Sequence, residues 1–218
     1  MPAYWRAIHR LQASHTVSKL PYQCLRAGQR IPLTAIGVMK EFVDAGKVHY
    51  LGLSNTTVEN VRAAHAVHPI TALQAEYSLF SRETAEFFPV LEELGIGFVG
   101  YSPLARGFLS GAAKPLEQYG AEDFRQGSGW WQPGNFEQNL DLVAQLSAIA
   151  ENKGITLSQL AFAWLLAQKD YIVPIPGSKN PERVAENIAA ASIELTEAEL
   201  ASISAIVPDG ANGPRFIY

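Results

Sequence analysis

KVHYLGLSNTTVENVRAAHAVHPITALQAEY, residues 47–77, carries the pattern from which the fold follows. Its opening, Lys47-Val48-His49-Tyr50-Leu51-Gly52-Leu53, is short and mostly apolar and reads as a strand. Thr56-x-x-Glu59 has the form of a capping box and opens a helix through Val61, Ala64 and Val67, which Pro69 ends. Thr71 to Tyr77 then reads as a second strand. A helix between two strands brings the second back alongside the first in the same direction, so this stretch predicts a parallel βαβ unit.

The same alternation extends outward. Upstream, Ile36, Met39, Phe42 and Val43 recur at helical spacing, with Gly46 as the stop. Downstream, Glu83 to Leu94 reads as a helix with Phe87, Val90, Leu91 and Leu94 on one face and Gly95 closing it. Pro89 removes a backbone donor there, which predicts a kink or a late start. Ile96 to Tyr101 is a buried-type strand, and residues 102–135, rich in Gly, Pro and aromatics, form a long loop of the functional or mobile kind. Asn135 caps a helix bearing Leu140, Val143, Leu146 and Ile149, stopped at Gly154; Thr156 caps another through Leu160, Trp164 and Leu165. Tyr171 to Ile175 is a strand. Asn180-Pro181 opens a helix to about Ala191, and Thr196-x-x-Glu199 opens a last one to about Val207.

The four strands, 48–53, 72–76, 96–101 and 172–175, are short and apolar, as strands covered on both faces should be. The fold class is therefore α/β, and two architectures compete: a doubly wound open sheet and a (β/α)8 TIM barrel with helices outside. No G-x-G-x-x-G follows an early strand, which argues against the dinucleotide fingerprint of the first. A barrel needs about 250 residues, and only half its strands are visible here.

Composition narrows the classes. With 218 residues, 48% hydrophobic and 17% charged, the chain can bury a core and is not disordered. The lone Cys24 excludes a disulfide scaffold or a zinc site built on several thiolates, and fits a cytoplasmic chain. No apolar run approaches the roughly 20 residues of a membrane helix, so no membrane role is expected. A net charge of −4 disfavours nucleic acid. The charge is uneven: Arg6, Arg10, Lys19, Arg26, Arg30 and Lys40 fall in the first 40 residues with no acid among them. Residues 1–33 thus read as an atypical basic segment, whether transit peptide, foreign or wrongly joined start, or ill-fitting leader. Residues 34–218 read as the partial barrel.

In either architecture chemistry sits just beyond the strand C-termini. Ser54 and Asn55 there can bond an amide-bearing ligand or merely cap the next helix. Gln74, in an apolar strand, needs a partner, which is either a ligand or backbone. Tyr101 offers a flat face for stacking; Ser102, Arg106 and nearby amides can hold phosphate, or form a structured turn. The sharpest signal is Ile175-Pro176-Gly177-Ser178-Lys179 leading into a helix start. Gly177 lets a ligand approach the backbone, while Ser178, Lys179 and the first helical amides make an anion site or an ordinary solvated helix start. Arg183 lies one turn on, and Glu186 and Asn187 follow at helical spacing to read a base edge. Cations around one helix start fit a phosphomonoester better than a neutral ribose.

Residues 34 to 207 resemble the C-terminal part of an aldo-keto reductase. Ala45-Gly46-Lys47-Val48-His49-Tyr50-Leu51-Gly52-Leu53-Ser54-Asn55 resembles that family's GKVRxIGxSN stretch, and Leu73-Gln74-Ala75-Glu76-Tyr77 its xQxEY strand. Tyr101-Ser102-Pro103-Leu104 resembles its YSPL loop. Val173 to Lys179, with Arg183, Glu186 and Asn187, resembles its PIPGxxxxxRxxEN segment. The resemblance implies an NADPH-dependent barrel enzyme that reduces a small-molecule carbonyl by hydride transfer. It implies that Ser54, Asn55 and Gln74 hold the nicotinamide carboxamide and that Tyr101 stacks on the ring. Ser102, Leu104 and Arg106 would line the pyrophosphate path. Ser178, Lys179 and Arg183 would hold the 2′-phosphate of NADP(H), with Glu186 and Asn187 at the adenine.

The departures bear on catalysis. The family's proton-donor Tyr and its supporting Asp, Lys and His belong to the first half of the barrel and are matched by nothing here. Tyr22-Gln23-Cys24-Leu25 is the nearest stretch to the family's YxxH context, with Cys24 near the expected His. His9, His15, His49, His65 and His68 match no catalytic position. Three readings stay open: a truncated or mis-spliced reductase, a piece completed through its open barrel edges by self-association or another chain, and a non-catalytic cofactor-binding or interaction module. Substrate choice would lie in loop 102–135, where Trp130 and Trp131 line an aromatic pocket or cover the core.

Overall fold

The computed structural model describes residues 33–217. The basic segment through residue 32, with His9, His15 and Cys24, lies outside the described residues. The chain divides into two compact units. The first holds residues 33–75, Thr84–Val99 and Tyr171–Val173; the second holds Glu76–Glu83, Gly100–Asp170 and 174–217.

In the first unit, α1 spans Leu33–Asp44. Gly46, at φ +67°, turns the chain out of it. The amides of Gly46 and Lys47 reach back to the carbonyls of Val43 and Phe42, both at 2.9 Å, a Schellman closure that satisfies the last helical acceptors. β1 covers Leu51–Ser54, so residues 48–50 of the expected strand lie outside it. The ladder explains why: Leu51 pairs with Ile70, and the residue before Ile70 is Pro69, which has no N–H to extend the pairing. The next helix, α2, spans Val58–Val67 and is capped by Thr57 rather than Thr56. Asn55 takes a left-handed turn (φ 46°) and moves the helix start on by one residue. The Thr57 hydroxyl accepts from the Asn60 amide at 3.3 Å, and Asn60 stands where a capping box would need Glu or Gln. His65 is structural: its Nδ1 accepts from the Ile70 amide at 3.2 Å.

β2 spans Ile70–Glu76. A 3-10 turn at Glu83–Phe87 precedes α3, Phe88–Leu94, with Pro89 in its first turn, the late start that proline predicts. β3 (Gly97–Tyr101) and β4 (Ile172–Pro174) complete a sheet in the order β1-β2-β3-β4. β1 and β2 run parallel. Consecutive order with no reversal is the order of a barrel arc; a doubly wound sheet would switch direction. Leu73, Phe98, Leu91 and Ile96 are fully buried around it. Phe88 packs edge-on against Phe98 (5.7 Å) and Tyr171 (6.2 Å).

The second unit is built on α4 (Asn135–Lys153), α5 (Leu157–Gln168), α6 (Pro181–Ala189) and α7 (Glu197–Ile206). Thr156, Asn180 and Thr196 cap α5, α6 and α7 as the sequence predicts. Asn135 does not cap α4; that place is taken by Gly134, whose N–H donates to Glu137 at 2.7 Å, while Asn135 Nδ2 donates to the Gly129 carbonyl at 2.9 Å. Loop 102–135 is ordered into 3-10 turns. Its two tryptophans are core residues: Trp130 and Trp131 are 1% and 3% exposed and gather with Phe80 and Phe136 around Phe108.

Residues 208–217 are fastened over this cluster. The Asn212 amide donates to Asn139 Oδ1 at 2.7 Å and the Ile217 amide to the Gly127 carbonyl at 2.8 Å. Gly213 sits at φ +87°, where a Cβ would come within 2.3 Å of Asn135 Nδ2 and 2.6 Å of the Gly129 carbonyl oxygen. Gly213→Ala therefore meets both a left-handed backbone and a backbone clash. It should lower unfolding free energy by about 2 kcal/mol in a urea titration, whereas Gly127→Ala, with open space around it, should change it far less.

Candidate functional site

A groove of about 1180 Å³ lies within the second unit, where the chain leaves β3 and β4 and enters α5 and α6. Strand ends supply its walls because the backbone there must turn sharply. Ser102, Ala105 and Arg106 all hold positive φ (52°, 47° and 57°). Such non-glycine strain costs on the order of 1–3 kcal/mol per residue and persists where surrounding contacts impose it. Ser102 and Leu104 line the groove from this turn.

Opposite lies the run after β4. Gly177, Ser178 and Lys179 line the groove and lead into α6. The Asn180 side chain accepts from the Arg183 amide at 2.8 Å, and Ser178 Oγ accepts from the Asn180 amide at 3.1 Å, so the helix start is held open toward the groove. Lys179, Arg183, Glu186 and Asn187 line the same space. Among the described residues neither Lys179 nor Arg183 forms an ion pair. Two cations without a carboxylate partner among the described residues, at the positive end of a nine-residue helix, give this end of the groove a positive potential that favours an anion.

Arg106 lines the groove too, but its guanidinium is committed elsewhere. It reaches Glu76 Oε2 at 3.2 Å and donates to the Arg215 carbonyl at 2.9 Å, stacked over Phe216 (4.4 Å) and Trp130 (4.8 Å). Its side chain is 3% exposed and that of Glu76 1%. Tyr101 ends β3 half-buried, its carbonyl accepting from the Tyr77 amide at 3.3 Å. In the first unit, Ser54 and Gln74 are register partners, and the Asn55 amide donates to the Gln74 carbonyl at 3.1 Å. These three predicted residues therefore meet at the ends of two adjacent strands.

Among the groove residues that sequence reasoning passed over are Arg125, Thr156 and Ser158. Arg125 lies in the long loop, where no periodicity marks it; it pairs with Asp123 at 2.9 Å and stacks on Tyr119 at 4.6 Å. Its backbone N–H, then its guanidinium, hold the Asp123 carboxyl below its usual range. Thr156 and Ser158 bring the start of α5 to the groove. Thr156 is legible as a cap, but its closeness to α6 is a tertiary fact. Among the described residues no His, Cys, Asp and Glu cluster could hold a metal, and no helix is long and apolar enough to cross a membrane.

The aldo/keto reductase family model matches residues 7–208. The aldo-keto reductase Str7 of Strobilurus tenacellus is 39% identical over 203 residues, covering 88% of this chain and 60% of that protein. The chain thus spans about three-fifths of the length of this curated relative. The glycerol dehydrogenase of Gluconobacter oxydans superposes with a TM-score of 0.76 at 24% identity, over 86% of this chain and 59% of the other. An aldo-keto reductase of Klebsiella pneumoniae, solved with NADPH, gives 0.65 at 24% identity, over 89% and 61%. These likenesses make the four strands part of a (β/α)8 barrel fold. On the extent of the family match and the identity to a curated member, the chain belongs to the aldo/keto reductase family.

Proposed function

We propose that the groove holds the phosphorylated adenosine end of NADP(H), and that the chain is the cofactor-binding portion of an oxidoreductase of the aldo-keto reductase type. The observation that carries this reading is the pair of cations at the start of α6, Lys179 and Arg183, which form no ion pair among the described residues. The residues present fit the group: Ser178, Lys179 and Arg183 would hold the 2′-phosphate, and Gly177 leaves room beside the backbone, since nothing lies within 4 Å of a Cβ built there. Glu186 and Asn187 would meet the adenine; Ser102 and Leu104, with the turn at Arg106, would line the pyrophosphate path. Tyr101 would stack on the nicotinamide, and Ser54, Asn55 and Gln74 would hold its carboxamide. When bound, NADPH supplies a hydride to a small-molecule carbonyl. The protein's part would be to fix the ring and orient it.

Reduction also needs a proton for the carbonyl oxygen, and the family's Tyr, Asp, Lys and His set has no counterpart among this chain's motifs. We therefore expect binding without turnover: NADPH fluorescence should titrate to saturation, while NADPH oxidation with an aromatic aldehyde stays at the blank rate. Oxidation that is abolished by Arg183→Ala would overturn the second half of this expectation. A second reading, an interaction module that self-associates, is favoured by β1 and β4 standing at the two outer positions of the four-stranded sheet. Light scattering separates the two, because large oligomers without NADPH binding would support only the module. In either case residues 34–218 act as one functional segment, in the cytosol.

A further inference from the structure

We infer that Thr156 is a positioning residue that sets the preference of the groove for an adenine base by holding the Glu186 carboxylate. The inference rests on the NADP(H) reading above. Glu186 sits in the second turn of α6, partly exposed, where a free side chain would sample several rotamers. Two contacts from the start of α5 reach it, one to its side chain and one to its backbone. The Thr156 hydroxyl donates to Glu186 Oε1 at 2.5 Å, a short, charge-assisted bond. Gln159 Nε2 donates to the Glu186 backbone carbonyl at 3.3 Å. Gln159 Oε1 accepts from the Thr156 amide at 3.1 Å, which closes the brace.

The Thr156 hydroxyl does both of its tasks at once. One lone pair accepts from the Gln159 amide at 3.2 Å to cap α5, and its single proton goes to Glu186. That proton goes to Oε1, while Oε2 has no hydrogen bond among the described residues and is available to a ligand in a groove that Thr156 and Glu186 both line. An ionised carboxylate only accepts. It therefore bonds a base carrying an exocyclic amine, as adenine does, and opposes one carrying a carbonyl at that position, as hypoxanthine does. Discrimination of this kind depends on the carboxylate being held still, because a mobile one would swing away from the wrong base at little cost.

The test compares NADPH with its hypoxanthine analogue in fluorescence titrations, in the full chain and two variants. The full chain should favour NADPH by about tenfold, the scale of one hydrogen bond to a charged group. Thr156→Gly removes the hydroxyl while costing the cap only a few tenths of a kcal/mol, and should cut that ratio below about threefold. Thr156→Ser restores the hydroxyl and should restore the ratio. The preference for NADPH over NADH, set by Lys179 and Arg183, should survive in both. Equal weakening of both bases by Thr156→Gly, with the ratio intact, would show a purely structural cap and overturn the proposal. Should that variant not fold, Thr156→Asp keeps a capping oxygen, repels Glu186 and reads the same ratio. Absence of NADPH binding in the full chain overturns the proposal together with the reading beneath it.

Discussion

Arg183→Ala should raise the Kd for NADPH by about 10- to 100-fold and leave the Kd for NADH within about twofold. The magnitude follows from a hydrogen bond to a charged group, roughly 1.5–3 kcal/mol. The selectivity follows from the one chemical difference between the two cofactors, the 2′-phosphate. Among the described residues Arg183 has no carboxylate partner, so its charge is available to that phosphate. Its planar fork can bind two phosphate oxygens, and Arg183→Lys should recover only part of the loss. The NADPH Kd should also rise with salt more steeply than that of NADH, since screening acts on the extra charge. Equal loss for both cofactors on fluorescence titration would move the phosphate site away from α6.

The second large effect concerns stability. Glu76→Ala should lower the unfolding free energy by about 3–5 kcal/mol, because it leaves the Arg106 guanidinium buried without its counter-ion. For a chain of this size that is a Tm drop on the order of 10 °C, and it is a large part of the typical 5–15 kcal/mol total. Arg215, whose guanidinium stands 3.6 Å from the same carboxylate, should loosen with it. Distance alone would mislead here. Arg62 and Glu93 form a shorter, bidentate pair at 2.6 and 2.7 Å, yet their side chains are 48% and 58% exposed. Glu93→Ala should therefore leave the melting temperature almost unchanged, because water replaces the lost partner. Thermal melts of the two variants side by side check the contrast; similar losses would mean that burial does not govern these pairs.

The comparison of sequence and structure separates local from non-local information. Caps at Thr156, Asn180 and Thr196 are legible because a cap is decided within four residues. The displaced start of β1 is not, since it depends on Pro69 across the ladder. The shift from Thr56 to Thr57 depends on the left-handed turn at Asn55, which no propensity marks. Trp130 and Trp131 had two readings in the chain, and burial around Phe108 chose the core.

The candidate site divides in the same way. Ser178, Lys179, Arg183, Glu186 and Asn187 are readable because one loop and one helix start carry them in order. The role of Arg106 is not, because its partner Glu76 lies 30 residues earlier and only packing brings them together. By itself the sequence determined the α/β alternation, the caps at Thr156, Asn180 and Thr196 and the cation-bearing start of α6, all set by short-range hydrogen bonding and side-chain periodicity. Tertiary structure alone decided the strand order, the inward turn of Arg106 and the brace from Thr156 to Glu186. Those depend on which segments become neighbours, and that is settled by burial of the whole core rather than by any one stretch of chain.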